Sequence, residues 1–383
     1  MIITIIVFIV ILGLLVFVHE FGHFYAAKKS GMRVLEFGFG FPPRLIGLQK
    51  VDGKWKVIFG HPKSSSNQTV EQAGQAPSDS TIYSINAIPL GGFVKIWGEN
   101  NEHEEDPRSF INRPFWARFA TLIAGVTMNW LLGAVLFSLI LIVGFKVPTD
   151  AKITLPKAAI VSESQIIIDQ VLKGTPAAGA GLKAGDVILS VDSTAFENVD
   201  KIREYLLENK GKVFSFRIER GSEVKAVEVS SIANPTENQG PTGIVIGDFK
   251  KVRVPFFAGV KAGFVNTAKL TGEIFVGLGK LFYSKDALSQ VGGPVKIGQL
   301  VGEARHYGFL ALAEFTAFIS VNLAIFNLLP IPALDGGRLL FLIIEKIRGK
   351  KNNRSIEQKA IAWSMAVLLI LIFLVTIKDV KGF

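Results

Sequence analysis

The sequence predicts a polytopic α-helical membrane protein with four transmembrane helices, a membrane re-entrant β-hairpin or sheet after the first helix, and one extracytoplasmic α+β domain. Of its 383 residues, 49% are apolar and only 19% are charged. The charged residues are unevenly distributed and leave four apolar stretches close to the roughly 20 residues that a helix needs to cross a bilayer. One long segment between the second and third stretches instead alternates apolar and polar residues, as the strands of a water-exposed domain do.

The four apolar stretches cover residues 1–18, 119–145, 315–334 and 360–377. The first has the length of a signal peptide, but it has no basic start and no small-residue cleavage site, and it runs directly into ionisable residues. We therefore expect it to remain in the protein as a transmembrane helix.

Lysine and arginine cluster in three short flanks of these stretches, at Lys28, Lys29, Arg33, Arg113, Arg118, Lys346, Arg348, Lys350, Lys351 and Arg354. All three clusters lie on the cytoplasmic side if the N-terminus is outside, as the positive-inside rule requires. The first and third spans then run in the same direction. This topology and anionic lipid headgroups explain the net charge of +10 better than nucleic acid does, since no basic stripe with interleaved aromatic residues stands out.

The predicted division of the chain follows from these spans. It comprises transmembrane helix 1 (1–32), a cytoplasmic-side segment with the re-entrant hairpin (33–112), transmembrane helix 2 (113–147), the extracytoplasmic domain (148–250), an interfacial helix and linker (251–308), transmembrane helix 3 (309–345), a basic cytoplasmic loop (346–359) and transmembrane helix 4 (360–383).

The cytoplasmic-side segment carries short strand patterns at 54–59, 81–85 and 93–97. Residues 63–80 are rich in Ser, Gln, Ala and Pro, which predicts a loop. The apolar run 87–97 contains paired glycines and is too short to span a bilayer. It suits a hairpin packed against the other spans, because bare strand edges cannot face lipid.

The extracytoplasmic domain shows strand patterns at 187–191 and 213–218 and a helical pattern at 199–208. Residues 252–283 are neither polar enough for a soluble helix nor apolar enough for a span. Their lysines and one glutamate would share one face of a helix, which predicts an amphipathic helix lying in the headgroup plane.

The strongest chemical signal is an HExxH motif made by His19, Glu20 and His23. On a helix, residues i and i+4 share a face, so both imidazoles can bind one zinc ion, and the glutamate beside them can act as a general base. The chain has no cysteine, so its ligands must be nitrogen and oxygen. The alternative interpretation is a pair of capping or interfacial histidines at a helix end.

A catalytic zinc site needs three protein ligands and an open position. The remaining histidines are His61 and His103, in polar loops, and His306, which the topology places a bilayer away. Asp335 is the better candidate: at 1.5 Å per residue it lies about 20 residues into the third span, a depth similar to that of the HExxH motif in the first. Its alternative role is a turn residue or an ion-pair partner of Arg338.

Three residues near the end of the third span suggest a broken, polar-lined helix. Pro330 and Pro332 free backbone carbonyls, which is tolerated at membrane depth where the chain lines a cavity. Asn327 lies close to them, and its amide could bind a substrate strand or an oxyanion. Asn322 fits interhelical hydrogen bonding better, and Asn129 in the second span fits either role.

Together, HExxH at the end of a first span and NxxPxPxLDGG in a later one resemble the site-2 protease family of intramembrane zinc metalloproteases, in particular the bacterial regulator of sigma-E protease type. The sequences GFGFPPR at 38–44, IPLGGFVK at 88–95 and GGPV at 292–295 extend the resemblance over nearly the whole chain. The resemblance implies that the two HExxH histidines and Asp335 bind Zn²⁺ and that Glu20 is the general base.

The resemblance also implies how substrate is held. Asn327, Pro330 and Pro332 would contact it, and the hairpin with Gly91, Gly92 and Phe93 would offer a strand edge to an unwound substrate. Strand addition replaces the hydrogen bonds that a transmembrane helix loses when it opens.

The extracytoplasmic domain resembles a PDZ domain in the sequence GTPAAGAGLKAGD at 174–186 and the strand that follows it. Some relatives carry two such domains, whereas only one fits here. The sequence also departs from the family at Gly125-Val126, where relatives often have Gly-Pro before the asparagine of the second span.

These features predict a zinc metalloendopeptidase of the bacterial cytoplasmic membrane. It would cleave single-pass membrane proteins, such as anti-sigma factors or remnant signal peptides, near the cytoplasmic leaflet, and its PDZ domain would bind peptide termini outside. The expected partners are these substrates and the lipid bilayer, and no nucleic acid. Two alternatives are a non-catalytic membrane PDZ scaffold and a cation transporter, which would not need Glu20.

Overall fold

A computed structural model describes residues 2–60, 80–99, 105–149, 156–221, 223–234, 240–280, 283 and 292–381. His61, His103 and nearly all of the predicted loop at 63–80 lie outside these ranges. The chain divides into two compact units: Met1–Phe137, Val265–Glu303 and Ala313–Phe383 form the first, and Ser138–Phe264 with Ala304–Leu312 forms the second.

In chain order the described elements are α1 (Ile2–Lys29), β1 (Val34–Val51), β2 (Lys54–Phe59), β3 (Ile82–Ile96), α2 (Phe115–Val143), β4 (Phe145–Pro148), β5 (Ile160–Val171), α3 (Pro176–Gly179), β6 (Val187–Val191), α4 (Val199–Glu208), β7 (Val213–Arg220), β8 (Glu223–Ser230), β9 (Ile244–Arg253), α5 (Phe256–Lys280), α6 (Pro294–His306), α7 (Phe309–Leu328), α8 (Asp335–Arg348) and α9 (Arg354–Lys381).

Within the described residues, four helices are long and apolar enough to cross a membrane, and they coincide with the four predicted spans: α1, α2, α7 and α9. Their predominantly aliphatic and aromatic residues favour helices in lipid, where every backbone group must be bonded within its own segment. The first ends where Gly31 takes a positive φ of 70° and the Met32 N–H returns to the Ala27 carbonyl. A glycine in this conformation is a common helix terminator.

The segment after α1 forms a three-stranded sheet in the order β2-β1-β3. Glu36 pairs with both Ile82 and Lys95, so the two halves of β3 lie on opposite sides of the first half of β1. The strand patterns at 81–85 and 93–97 therefore belong to one long strand and not to two separate ones. Arg44 donates to the carboxylate of Glu36, with 2.9 Å between Nε and Oε1, and this buried pair links the two halves of β1.

The predicted third transmembrane segment, 309–345, is divided in the structure. Helix α7 ends at Leu328 and α8 begins at Asp335, because the two prolines of the link cannot donate backbone hydrogen bonds. The chain folds back tightly here: a Cβ atom at Gly336 would lie 2.2 Å from the Leu328 carbonyl oxygen. The glycines after Asp335 therefore permit the turn that places this aspartate at the first position of α8.

The second unit contains a six-stranded sheet in the order β4-β9-β5-β6-β7-β8. Phe214, Phe216 and Ile218 alternate along β7 and are fully buried, and they pack with Ile202 of α4 into one apolar core. The predicted strands 187–191 and 213–218 and the predicted helix 199–208 are confirmed as β6, β7 and α4. The predicted amphipathic helix 252–283 corresponds to α5.

Candidate metal centre

The structure brings His19, His23 and Asp335 together inside the first unit. Nε2 of His19 lies 3.1 Å from Nε2 of His23. Oδ2 of Asp335 lies 2.9 Å from the first of these nitrogens and 3.2 Å from the second. The two histidines are 6% and 7% exposed, so the three side chains form a closely spaced and largely dry cluster.

The local structure explains how each side chain reaches the cluster. The histidines are one turn apart on the buried face of α1. Asp335 opens α8 after the proline-containing link. Arg338, the alternative ion-pair partner of this aspartate, instead donates to the carboxylate of Glu99. The sequence argument from matched depth in the first and third spans therefore identified residues that are adjacent in space.

The cluster fits a bound metal ion better than a hydrogen-bonded triad. Among the described residues, Oδ2 of Asp335 is buried and has no hydrogen bond of acceptable geometry, although two imidazole nitrogens lie within 3.2 Å. Two tetrahedral ligands at 2.0–2.1 Å from a zinc ion are about 3.3 Å apart, close to the observed separations. Two imidazoles and one carboxylate also form a typical catalytic zinc set.

Helix α2 supplies the wall against which the histidines pack. Thr121, Gly125, Asn129 and Gly133 follow one another at four-residue spacing, share one face of the helix and are all buried. The carbonyl of Thr121 accepts a hydrogen bond from Nδ1 of His23 at 2.7 Å. This bond places the His23 proton on Nδ1 and leaves Nε2 free to bind a metal ion.

Gly125 stands directly beside the cluster. A Cβ atom there would lie 2.3 Å from Nε2 of His23 and 2.8 Å from Nε2 of His19. Gly22 of α1 faces the same part of α2, and its Cβ would lie 2.4 Å from the Ala124 carbonyl oxygen. Sequence reasoning missed these glycines as site residues. The signal was the spacing of small residues along α2, which is typical of close helix contacts in membranes.

Glu20 is half-buried, follows His19 on α1 and is not one of the three clustered ligands. Its Oε2 accepts a hydrogen bond from the backbone N–H of Val94 at 3.1 Å. Strand β3 thus approaches α1 closely. A Cβ atom at Gly91 would lie 2.7 Å from Val16, so the glycine preceding this contact permits the approach.

The other predicted site residues lie around this centre with less specific contacts. Gly92 and Phe93 pair with Phe39 and Gly38 of β1. Asn327 is half-buried in the last turn of α7, and Pro330 and Pro332 form the link to α8. Asn322 donates to the Phe318 carbonyl of its own helix at 2.8 Å, so this bond lies within α7 and not between helices as the sequence predicts.

Comparison with known proteins gives matches over nearly the whole chain. The profile of "Peptidase family M50" matches residues 7–61 and 73–371. The regulator of sigma-W protease RasP of Bacillus subtilis is 28% identical, with 99% of this chain and 98% of that protein covered. The zinc metalloprotease RasP of Geobacillus kaustophilus matches at the same identity and coverage. A Clostridium acetobutylicum protein is 31% identical over 98% of this chain and 97% of its own length.

Among solved structures, the PDZ domain of an SdrC-like protein from Listeria monocytogenes matches 24% of this chain and 93% of its own length. The identity is 20% and the TM-score is 0.20, a level that establishes no common fold. The PDZ assignment therefore stays a prediction from sequence.

The full-length matches confirm the predicted resemblance, and with it zinc as the cofactor and peptide-bond hydrolysis in the membrane as the activity. The chain belongs to peptidase family M50.

Proposed function

We propose that His19, His23 and Asp335 hold the zinc ion and that Glu20 is the general base for hydrolysis of a peptide bond in the transmembrane segment of a single-pass protein. The observation that carries the proposal is the buried cluster of three ligand atoms, all within 4.8 Å of one another, with Glu20 beside it on the same helix.

When bound, zinc would polarise the scissile carbonyl and lower the pKa of a nearby water. Glu20 takes a proton from the attacking water and passes it to the leaving amine. The hydrogen bond from Val94 supports this role, because it holds the carboxylate in place without occupying both of its oxygens. The half-buried position of Glu20 keeps it close to the cluster while leaving room for substrate.

The substrate reaches this centre as an extended strand along the edge of β3. The backbone N–H of Val94 in this strand donates to Glu20, so the strand lies beside the proposed general base. Gly91 permits the close approach, and Phe93 holds the strand to β1. A transmembrane helix must unwind before hydrolysis, and pairing with this edge supplies replacement hydrogen bonds.

Asn327, Pro330 and Pro332 contact the substrate from the other side. Support comes from their position in the irregular link that leads directly into Asp335. Backbone without helical hydrogen bonds at this depth is tolerated where it lines a polar cavity. The freed carbonyls and the asparagine amide are the groups that a substrate backbone could bind.

In the bacterial cytoplasmic membrane, the chain places its N-terminus outside and its centre toward the cytoplasmic leaflet, as the basic flanks favour. The domain between α2 and α5 is an extracytoplasmic PDZ domain that binds peptide termini, and α5 lies at the membrane surface. The name of the Bacillus relative, a regulator of sigma-W protease, supports anti-sigma factors as one substrate class.

Cleavage of a single-span model substrate by the purified full chain in detergent tests the proposal. Glu20→Gln should bind about one zinc per chain and lose cleavage, because the amide cannot accept the proton. Glu314→Gln, the same change in span α7 outside the cluster, should cleave normally. If Glu20→Gln cleaves at the wild-type rate, Glu20 is not the base. If the wild type holds zinc and never cleaves, the scaffold or transporter alternatives are favoured.

A further inference from the structure

The side chain of Asn129 is the one polar group on the inner face of α2 whose role the proposed mechanism leaves open. It is completely buried, at 0% exposure. One terminal atom of its amide lies 3.4 Å from Nδ1 of His19. The other, Oδ1, is buried and has no hydrogen-bond partner among the residues that the structure describes. A buried carbonyl oxygen without a hydrogen-bond partner destabilises the folded state.

The position of His19 determines what this amide must do. Its Nε2 points into the cluster, 2.9 Å from Asp335 and 3.1 Å from His23. A neutral imidazole that binds a metal ion through Nε2 carries its proton on Nδ1, and that N–H needs an acceptor. An amide NH₂ group cannot accept it, whereas the amide oxygen can.

Rotating the Asn129 amide by 180° exchanges oxygen and nitrogen at almost no steric cost, since the two groups have nearly the same shape. In that orientation the buried oxygen gains a donor and the Nδ1–H of His19 gains an acceptor. His23 already has the corresponding bond to the carbonyl of Thr121. Helix α2 then supplies a hydrogen-bond acceptor to each histidine, from two residues that lie eight positions apart on one face of the helix.

The backbone of Asn129 is itself held in place. The Ser320 hydroxyl of α7 donates to the Asn129 carbonyl at 2.7 Å. One turn further along α2, Gly133 packs against Val321 of α7. Only 2.5 Å separates the ideal Cβ position of Gly133 from Cγ2 of Val321. The amide is therefore fixed between α1 and α7, which is what a residue that orients a ligand requires.

We propose that Asn129 is a positioning residue that accepts the Nδ1–H of His19 through its amide oxygen and so keeps Nε2 directed at the metal ion. This inference rests on the proposed zinc site. Partners of metal ligands typically contribute 10–100-fold to metal affinity, so Asn129→Leu, which keeps the volume and removes the acceptor, should weaken zinc binding by about that factor.

The test measures zinc affinity of the full-length protein in detergent by competition with a chelator. Asn129→Asp restores an acceptor and should bind zinc within about threefold of wild type, a carboxylate being a common partner of ligand histidines. Asn322→Leu, the same change at a site with a bond only within its own helix, is the matched control and should bind zinc normally. Thermal unfolding of each apo-protein separates metal loss from misfolding.

His19→Ala distinguishes the two levels of the argument. If it loses zinc while Asn129→Leu binds as tightly as wild type, the role of Asn129 is refuted and the zinc site stands. If His19→Ala binds zinc like wild type, the zinc site itself is wrong. If Asn129→Asp is as weak as Asn129→Leu although both apo-proteins unfold at the wild-type temperature, hydrogen-bond acceptance is not what this position contributes, and the inference fails.

Discussion

Replacing Gly125 by alanine should destroy the metal centre while adding only one methyl group. The new Cβ would lie 2.3 Å from Nε2 of His23, more than about 1 Å inside the ~3.5 Å at which non-bonded heavy atoms pack. The histidine must rotate or α2 must retreat. Because Gly22 already brings the two helix backbones into contact, neither change leaves the ligand atoms where they are.

The size of the effect follows from the tolerance of a metal site. Ligand distances must be correct to about 0.2 Å, so a displacement on the order of 1 Å removes a ligand. We expect zinc affinity to fall by at least about 100-fold and cleavage by a similar factor, the usual consequence of misplacing a catalytic group by 1 Å. Elemental analysis and chelator competition measure zinc binding, and cleavage of a single-span substrate measures activity.

Gly259→Ala of α5 is the matched control. Its Cβ would lie 2.5 Å from Cγ1 of Ile142, a clash of similar size against a side chain outside the metal centre. This variant should lose about 1–3 kcal/mol of stability, as overpacked sites do, and retain zinc. If Gly125→Ala binds zinc within twofold of wild type and cleaves substrate, the close approach of α2 to the two histidines is wrong.

Two further predictions concern polar contacts made by residues other than the three proposed metal ligands. Asp379 of α9 accepts hydrogen bonds at 2.9 and 3.1 Å from two backbone N–H groups at the start of α6. Asp379→Ala should therefore lower the free energy of unfolding by about 1 kcal/mol, measured as a lower Tm. Its zinc content should not change. Arg338, one turn after Asp335, forms an ion pair with Glu99. A partly buried pair of this kind contributes on the order of 1–2 kcal/mol, so Arg338→Glu should reduce cleavage about 10-fold. Exchanging both residues, Arg338→Glu with Glu99→Arg, should restore part of the activity. Loss of zinc from Asp379→Ala would contradict the role given to Asp379. Strictly additive effects of the changes at Arg338 and Glu99 would contradict a direct ion pair between them.

The three clustered side chains that we propose as metal ligands were predictable, because the sequence features that indicate them follow from helix geometry and membrane depth. An HExxH motif on a helix can serve one ion, and matched depth in two parallel spans pointed to Asp335. The four spans were predictable from hydropathy, and β6, β7 and α4 from their periodicity. Each of these features depends on the residues of one segment alone, or on the depth at which a residue lies in the membrane, which can be compared between spans.

Other features depend on contacts between segments and could not be predicted from either segment alone. Gly125 looks like any glycine of a membrane helix until α1 is placed against it. The sequence pattern predicts two short strands where the structure has the continuous strand β3, whose two halves pair with opposite sides of β1. Pro330 and Pro332 predict a broken helix, but the extent of the break between α7 and α8 depends on Gly336 packing against the carbonyl of Leu328.

X-ray absorption at the zinc edge of the purified Glu20→Gln chain tests the central claim most directly, because that variant should keep the metal and leave substrate uncut. The predicted result is about one zinc per chain with nitrogen and oxygen ligands at roughly 2.0–2.1 Å, two of them imidazoles, and loss of the signal when Asp335 is also changed to alanine. Zinc that remains in the double variant with two imidazoles and unchanged ligand number and distances would contradict the assignment of Asp335, and a chain that binds no zinc would contradict the centre as a whole.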